Sequence, residues 1–283
     1  MTTFSSFETA NLRLSFIDEG EGPAVIALHG FPDSWRTWDE GARRLVAAGY
    51  RVIRLASRGY APSGIPRDGR YDIAALTQDV IDLIDHLGLN RVAVLGHDWG
   101  ASTAYALTQY APERLAVLIA LAVPPPATAL GGWAERRARP HNLYLGLGAA
   151  SDWWLRRASF AEVRRLYRLW SPRWTGNAAH VDRLITDLSP RERSRASVDY
   201  YRLGTERSAT ASDLPPMPSL LIYGADEPQV RRDGFERARD DRGTSRRVVR
   251  VEGVGHWPHL EAPELVLEEI IRFLEDHRAA WAR

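Results

Sequence analysis

The chain has 283 residues, 45% of them hydrophobic and 26% charged, with a formal net charge of +1. That composition supports one large α/β domain or a core carrying an insertion, and the balanced charge gives no electrostatic case for nucleic acid. There is no cysteine, which excludes disulfides, thiolate metal sites and cysteine nucleophiles. Met1 to Phe7 lacks a basic stretch leading into an apolar one, so no signal peptide is expected. The longest apolar run, Leu115 to Pro126, is too short to span a membrane. The expectation is a cytoplasmic protein with no membrane or nucleic-acid partner.

In chain order, Leu12 to Ile17 alternates as a strand does and is closed by Asp18-Glu19-Gly20-Glu21-Gly22-Pro23. The strand Ala24 to Leu28 runs into His29-Gly30-Phe31-Pro32. Trp38 to Ala48 has helical spacing with Gly49 at its end. Arg51 to Leu55 is a strand, followed by the loop Arg58 to Gly64. Ile73 to Leu87 is an amphipathic helix stopped by Gly88. The strand at Val92, a helix to about Tyr110 and the strand Leu115 to Val123 follow. From about Pro124 to Asp213 the pattern changes: no strand is evident, Arg and Trp are frequent, and Phe160 to Leu169 and Ala179 to Leu188 look helical. Alternation resumes with the strand Ser219 to Tyr223, a helix around Val230 to Asp240, the strand Arg247 to Val251 and a helix from Glu264 to Arg278.

Strands alternating with helices predict an α/β class with a mostly parallel sheet flanked by helices. The core comprises residues 1–123 and 214–283, and residues 124–213 form a helical cap over the sheet's carboxyl edge. Functional residues then belong at the carboxyl ends of the strands.

One such end is Gly96-His97-Asp98-Trp99-Gly100. A strand turning into a helix this tightly crowds its own backbone, which suits glycine on either side. The arrangement is that of a nucleophile elbow, G-x-S-x-G, with a carboxylate where the hydroxyl would stand. Asp98 is ionised at neutral pH. It can attack an activated sp3 carbon directly and form an alkyl ester.

In this architecture the acid and the histidine follow the nucleophile at later strand ends. Asp226 or Glu227, then His256, stand in that order. Spacing from Gly224 favours Glu227, with Asp226 as the alternative. His256 would draw a proton from the water that hydrolyses the ester, and the acid would fix its tautomer. The oxyanion of that step calls for two backbone N–H donors, those of Trp99 and Phe31. His29 reads as a structural residue of its turn, and Phe31–Pro32 is a candidate cis peptide. No cofactor or metal is called for.

Over nearly its whole length the chain resembles the epoxide hydrolases of the α/β-hydrolase superfamily. The resemblance rests on His29-Gly30-Phe31-Pro32-Asp33-Ser34-Trp35, Arg58-Gly59-Tyr60, Gly96-His97-Asp98-Trp99-Gly100 and Gly255-His256-Trp257-Pro258-His259-Leu260-Glu261. It implies a small hydrophobic epoxide as substrate, opened by the carboxylate while two lid tyrosines donate hydrogen bonds to the ring oxygen. Asp199-Tyr200-Tyr201-Arg202 resembles the late lid motif and assigns Tyr201. Asn142-Leu143-Tyr144 is similar to the early motif and assigns Tyr144. The family's following Phe-Gln-x-Pro is absent, so Tyr167 is the substitute candidate. Ala56 stands where the family usually has Asp, and a structural consequence is expected there.

Haloalkane dehalogenases share the Asp-His-acid set, with the residue after the nucleophile binding halide, a role open to Trp99. Fluoroacetate dehalogenases usually carry Arg there, and Trp99 argues against them. Esterases need serine at position 98. A non-catalytic protein binding a small ligand under the lid is the remaining alternative.

Overall fold

A computed structural model of the chain describes residues 3–129, 133–203, 217–239 and 245–282. Eight strands form one sheet: β1 (Ser5–Glu8), β2 (Arg13–Glu19), β3 (Ala24–Leu28), β4 (Arg51–Ala56), β5 (Val92–His97), β6 (Leu115–Leu121), β7 (Ser219–Gly224) and β8 (Arg246–Val251). Their spatial order is β1-β2-β4-β3-β5-β6-β7-β8. β1 and β2 run antiparallel at one edge. From β4 through β3 to β8 every pairing is parallel. β3, β5 and β6 are buried throughout, as parallel strands covered on both faces must be.

The two faces divide by residue parity. Ile26, Leu28 and Val94 pack with residues of α2 (Ile73–His86), α3 (Trp99–Tyr110) and α9 (Gln229–Arg239). Val25, Ala27 and Leu95 pack with α1 (Asp39–Ala47) and α11 (Pro263–Asp276), the helix that follows the short α10 (Pro258–Glu261). Alternate side chains of a strand point to opposite faces, so one apolar run fills two cores.

Between β6 and β7 every described element is a helix: α4 (Trp133–Ala138), α5 (His141–Leu145), α6 (Ala149–Trp170), α7 (Ala178–Leu188) and α8 (Arg191–Leu203). α6 is broken where Ala158, Ser159 and Phe160 take φ of 47°, 54° and 62°. A third apolar cluster joins this insertion to the core: Leu145, Leu166, Tyr167 and Tyr201 meet Phe31, Tyr60 and Trp257. Polar contacts tie it down as well. The Tyr200 hydroxyl donates to the Arg58 carbonyl at 2.7 Å, and the Tyr167 hydroxyl to the Pro32 carbonyl at 2.9 Å.

Several sequence expectations need adjusting. β1 was not foreseen, because Ser5-Ser6-Phe7-Glu8 has one apolar residue and lies on the sheet edge. α4, α5 and α8 were not anticipated either, and the helix expected at Phe160 is the second half of α6. The expected return to the core at residue 214 lies outside the described residues. Ala56, in the place of the family's usual Asp, is buried in a small cluster with Ile17 and Trp35. Among the described residues no helix is long and apolar enough to cross a membrane.

Candidate functional site

β5 ends at His97 and α3 begins at Trp99, leaving Asp98 alone in the turn at φ 52° and ψ −115°. A non-glycine residue holds such a backbone only where its surroundings impose it. The surroundings here are three glycines. A Cβ on Gly96 would stand 2.3 Å from the Gly100 carbonyl oxygen, one on Gly100 2.3 Å from that of Leu28, and one on Gly30 2.4 Å from the Asp98 Cβ. The elbow therefore closes only with bare Cα atoms at all three positions.

The carboxylate of Asp98 is buried and held from two sides. Oδ1 accepts the Phe31 N–H at 3.0 Å. Oδ2 lies 3.4 Å from Nε2 of His256. Burial disfavours its charge, but the His256 ring and His97 outweigh that and hold the carboxyl well below the usual range. Phe31 follows Gly30 in the loop after β3, and Phe31–Pro32 is cis. Trp99 opens α3, so its N–H has no intrahelical acceptor.

His256 sits in the loop after β8, pinned at its backbone. Its N–H donates to the Trp170 carbonyl and to Ser171 Oγ, each at 3.0 Å. Its carbonyl accepts from His97 Nε2 at 2.8 Å. Burial, then the neighbouring His256 ring, drive His97 down to about 4, so it serves as a neutral donor. Nδ1 of His256 lies 2.6 Å from Oε1 of Glu227. Burial works against a proton on His256, but the Glu227 and Asp98 carboxylates raise its pKa above the ordinary histidine value.

The two acids separate cleanly. Glu227 faces His256, with Arg231 3.8 Å from its other oxygen. Asp226 instead pairs with Arg173 at 3.0 Å. His29 holds its own turn, accepting the Ser57 N–H at Nε2 (3.2 Å) and facing the Gly30 carbonyl with Nδ1 (3.1 Å).

The three tyrosines picked from the insertion do not converge. The Tyr201 ring stands perpendicular to Phe31 and Trp99, with centroids 4.9 Å and 5.7 Å away. Its buried hydroxyl has no hydrogen-bond partner among the described residues. The Tyr144 hydroxyl instead donates to Glu162 at 2.6 Å. Tyr167 is engaged with Pro32 and lies 3.2 Å from His180 Nε2.

His141 was missed. It is the first residue of α5 and lines a cavity of about 290 Å³ together with Asp98 and His256. Its ring packs on Trp170 at 4.5 Å and edge-on to Tyr201 at 5.9 Å. Burial, then Arg139, push its pKa down to about 2, leaving a neutral ring with one N–H. In the sequence it is a lone histidine three residues before Tyr144, which carries no signal by itself. Arg137, Arg139 and Arg231, also unforeseen, line the same cavity. Among the described residues no group of three His, Asp or Glu could hold a metal ion.

The arrangement presents an ionised carboxylate at a strand end, backed by an N–H, beside an imidazole fixed by a second carboxylate. Residues 23–263 match the sequence model of the α/β hydrolase fold. The chain belongs to this family. Among similar hydrolases, an epoxide hydrolase of Caballeronia sordidicola is 27% identical over 94% of this chain and 92% of its own length. Epoxide hydrolase A of Mycobacterium tuberculosis is 29% identical, covering 94% and 95%. The crystal structure of epoxide hydrolase A from Mycobacterium thermoresistibile aligns with this α/β hydrolase at a TM-score of 0.79 and 26% identity, over 96% of this chain and 98% of that one.

Proposed function

We propose that the protein is an epoxide hydrolase, converting an epoxide and water to a vicinal diol through an alkyl ester on Asp98. The observation that carries this is the buried Asp98 carboxylate between the Phe31 N–H and the His256 ring, in a fold whose similar proteins are named for that activity.

Asp98 attacks a ring carbon, the C–O bond breaks, and the oxygen becomes an alkoxide. Tyr201 and the neutral His141 are the donors for that oxygen. A phenol is acidic enough to surrender its proton to so basic a product. Forming the ester removes the Asp98 charge, one of the two carboxylates that raise the His256 pKa. The imidazole then gives up its proton more readily, and Nε2 can take one from water. The resulting hydroxide adds to the ester carbonyl carbon. The N–H groups of Phe31 and Trp99 stabilise the oxyanion; collapse expels the second diol oxygen, which takes its proton from His256, and the carboxylic acid left on Asp98 returns its proton to the Tyr201 phenolate, restoring both groups. Glu227 stabilises the imidazolium in between. The helical insertion acts as a cap that closes this chemistry from water, and a cytoplasmic setting fits a chain without cysteine.

A haloalkane dehalogenase reading draws on one observation, the buried Trp99 Nε1 with no hydrogen-bond partner among the described residues, which could hold a halide. Purified protein incubated with a small epoxide panel and a haloalkane panel separates the readings. Diol from epoxide is expected. Halide without diol favours the dehalogenase, and neither product favours a ligand-binding protein.

A further inference from the structure

The loop that carries His256 is held by a carboxylate that takes no part in the steps above. Glu261, the last residue of α10, folds its side chain back over the start of its own helix. Its Oε2 accepts the Gly255 N–H at 2.9 Å. Its Oε1 accepts the Trp257 N–H at 2.9 Å and the Ser171 hydroxyl at 2.5 Å. Ser171 Oγ in turn accepts the His256 N–H at 3.0 Å. Three consecutive backbone N–H groups therefore end on one carboxylate, two directly and one through a hydroxyl. Hydrogen bonds to an ionised acceptor are stronger than neutral ones. The His256 carbonyl is held as well, by His97 Nε2 at 2.8 Å.

Part of this seat belongs to the insertion. Trp170 ends α6 and Ser171 caps it, and together they supply both acceptors of the His256 N–H. The fit is close: a Cβ on Gly255 would stand 2.2 Å from the Trp170 carbonyl oxygen and 2.8 Å from Ser171 Oγ. Ser171 is buried, and its hydroxyl links two residues of the core. Glu227, 2.6 Å from Nδ1, orients the His256 ring but does not fix the backbone beneath it. Yet Nε2, 3.4 Å from Asp98 Oδ2, must reach the water that it activates. A displacement of about 1 Å at a reacting group can cost about 10²-fold in rate.

Building on the epoxide hydrolase reading, we propose that Glu261 and Ser171 are positioning residues for ester hydrolysis: they set His256 beside the Asp98 ester through its backbone. Ser171 makes that setting depend on the insertion. Attack by Asp98 uses no base, so ester formation proceeds without them.

The test uses 1,2-epoxybutane, styrene oxide or cyclohexene oxide, whichever the wild-type protein turns over fastest. In Glu261→Gln the amide nitrogen cannot accept a hydrogen bond, so at least one of the three donors loses its partner. Ester breakdown should slow by about tenfold or more. With breakdown limiting, kcat and KM fall together, and kcat/KM stays within about threefold of wild type. The Asp98 adduct should accumulate, read by mass spectrometry of acid-quenched protein. Ser171→Ala should show the same pattern more weakly, and it carries the test if Glu261→Gln does not fold. A role in folding alone would thin the active population, lowering kcat with KM unchanged and no adduct; that result overturns the proposal. A second measurement needs no turnover. The proton between His256 Nδ1 and Glu227 should give a low-field NMR signal that is missing from His256→Gln. Both positioning variants are expected to shift or broaden it, and a signal unchanged from wild type overturns the proposal. No diol from any of the three epoxides overturns the activity instead, and the proton signal then decides alone whether Glu261 and Ser171 set the ring.

Discussion

Tyr144 donates its hydroxyl to Oε1 of Glu162 across 2.6 Å, between α5 and α6. Burial and that carboxylate both raise its pKa far above the ordinary phenol value, so its hydrogen is committed within the insertion. His141, three residues earlier, turns to the Asp98 cavity. Removing the Tyr201 hydroxyl (Tyr201→Phe) is therefore expected to lower kcat/KM for an epoxide by about 10²-fold or more, and His141→Phe to do the same. Tyr144→Phe should keep activity within about threefold while costing about 1 kcal/mol of stability. Steady-state kinetics and denaturant unfolding of the three variants check this. A Tyr144→Phe enzyme as impaired as Tyr201→Phe would reinstate the tyrosine pair.

In the proposed mechanism Glu227 and His256 act after Asp98 has attacked, so their loss should leave the ester stranded. His256→Gln is expected to accumulate an Asp98 adduct heavier by one epoxide, read by mass spectrometry of the intact protein. Glu227→Gln should slow turnover by about 10²–10⁴-fold and give the same adduct. Asp226→Asn should turn over nearly normally, because its partner Arg173 has a side chain 68% exposed and such pairs contribute little. Parent-rate turnover by His256→Gln would remove this histidine from the mechanism.

The insertion is latched to the core by His180 of α7. Its Nε2 lies 3.1 Å from Asp33 Oδ1, and Asp33 Oδ2 accepts the Trp257 indole N–H at 2.9 Å. Burial disfavours the charged ring, but Asp33 holds the His180 pKa above its ordinary value. The pair thus stabilises the fold fully below the unfolded histidine pKa, about 6.5, and that stabilisation disappears as pH rises through the higher folded value. Wild type should exceed His180→Gln by about 1–3 kcal/mol below about pH 6, with the two converging in alkali. Thermal unfolding across pH measures the difference. Parallel curves would show that the latch does not titrate.

The core was legible because its signals are local. Val25, Ile26, Ala27 and Leu28 form an unbroken apolar run, and the glycines flanking Asp98 declare a backbone with no room. Asp98, Glu227 and His256 could be ordered along the chain because each lies within a few residues of the end of a strand that periodicity finds. The insertion obeys no such rule. α8 was missed because Arg191-Glu192-Arg193-Ser194-Arg195 has little apolar character, and the break in α6 rests on positive φ at Ala158, Ser159 and Phe160, none of them glycine. Whether a lid residue faces Asp98 depends on how these helices pack. Tyr144 and His141 share one helix, and tertiary contact alone gives the phenol to Glu162 and the imidazole to the cavity.

The bare Cα of Gly30 against the Asp98 side chain sets where this enzyme can change. Every other residue at position 30 would drive an atom into the Asp98 side chain, so laboratory libraries that vary this position should return almost only inactive clones. Arg137 to Pro140, at the end of α4 and in the turn before α5, also line the cavity and carry no sheet hydrogen bonds. New substrate preferences should therefore arise by mutation at those four positions, with Asp98, His256 and His141 left in place.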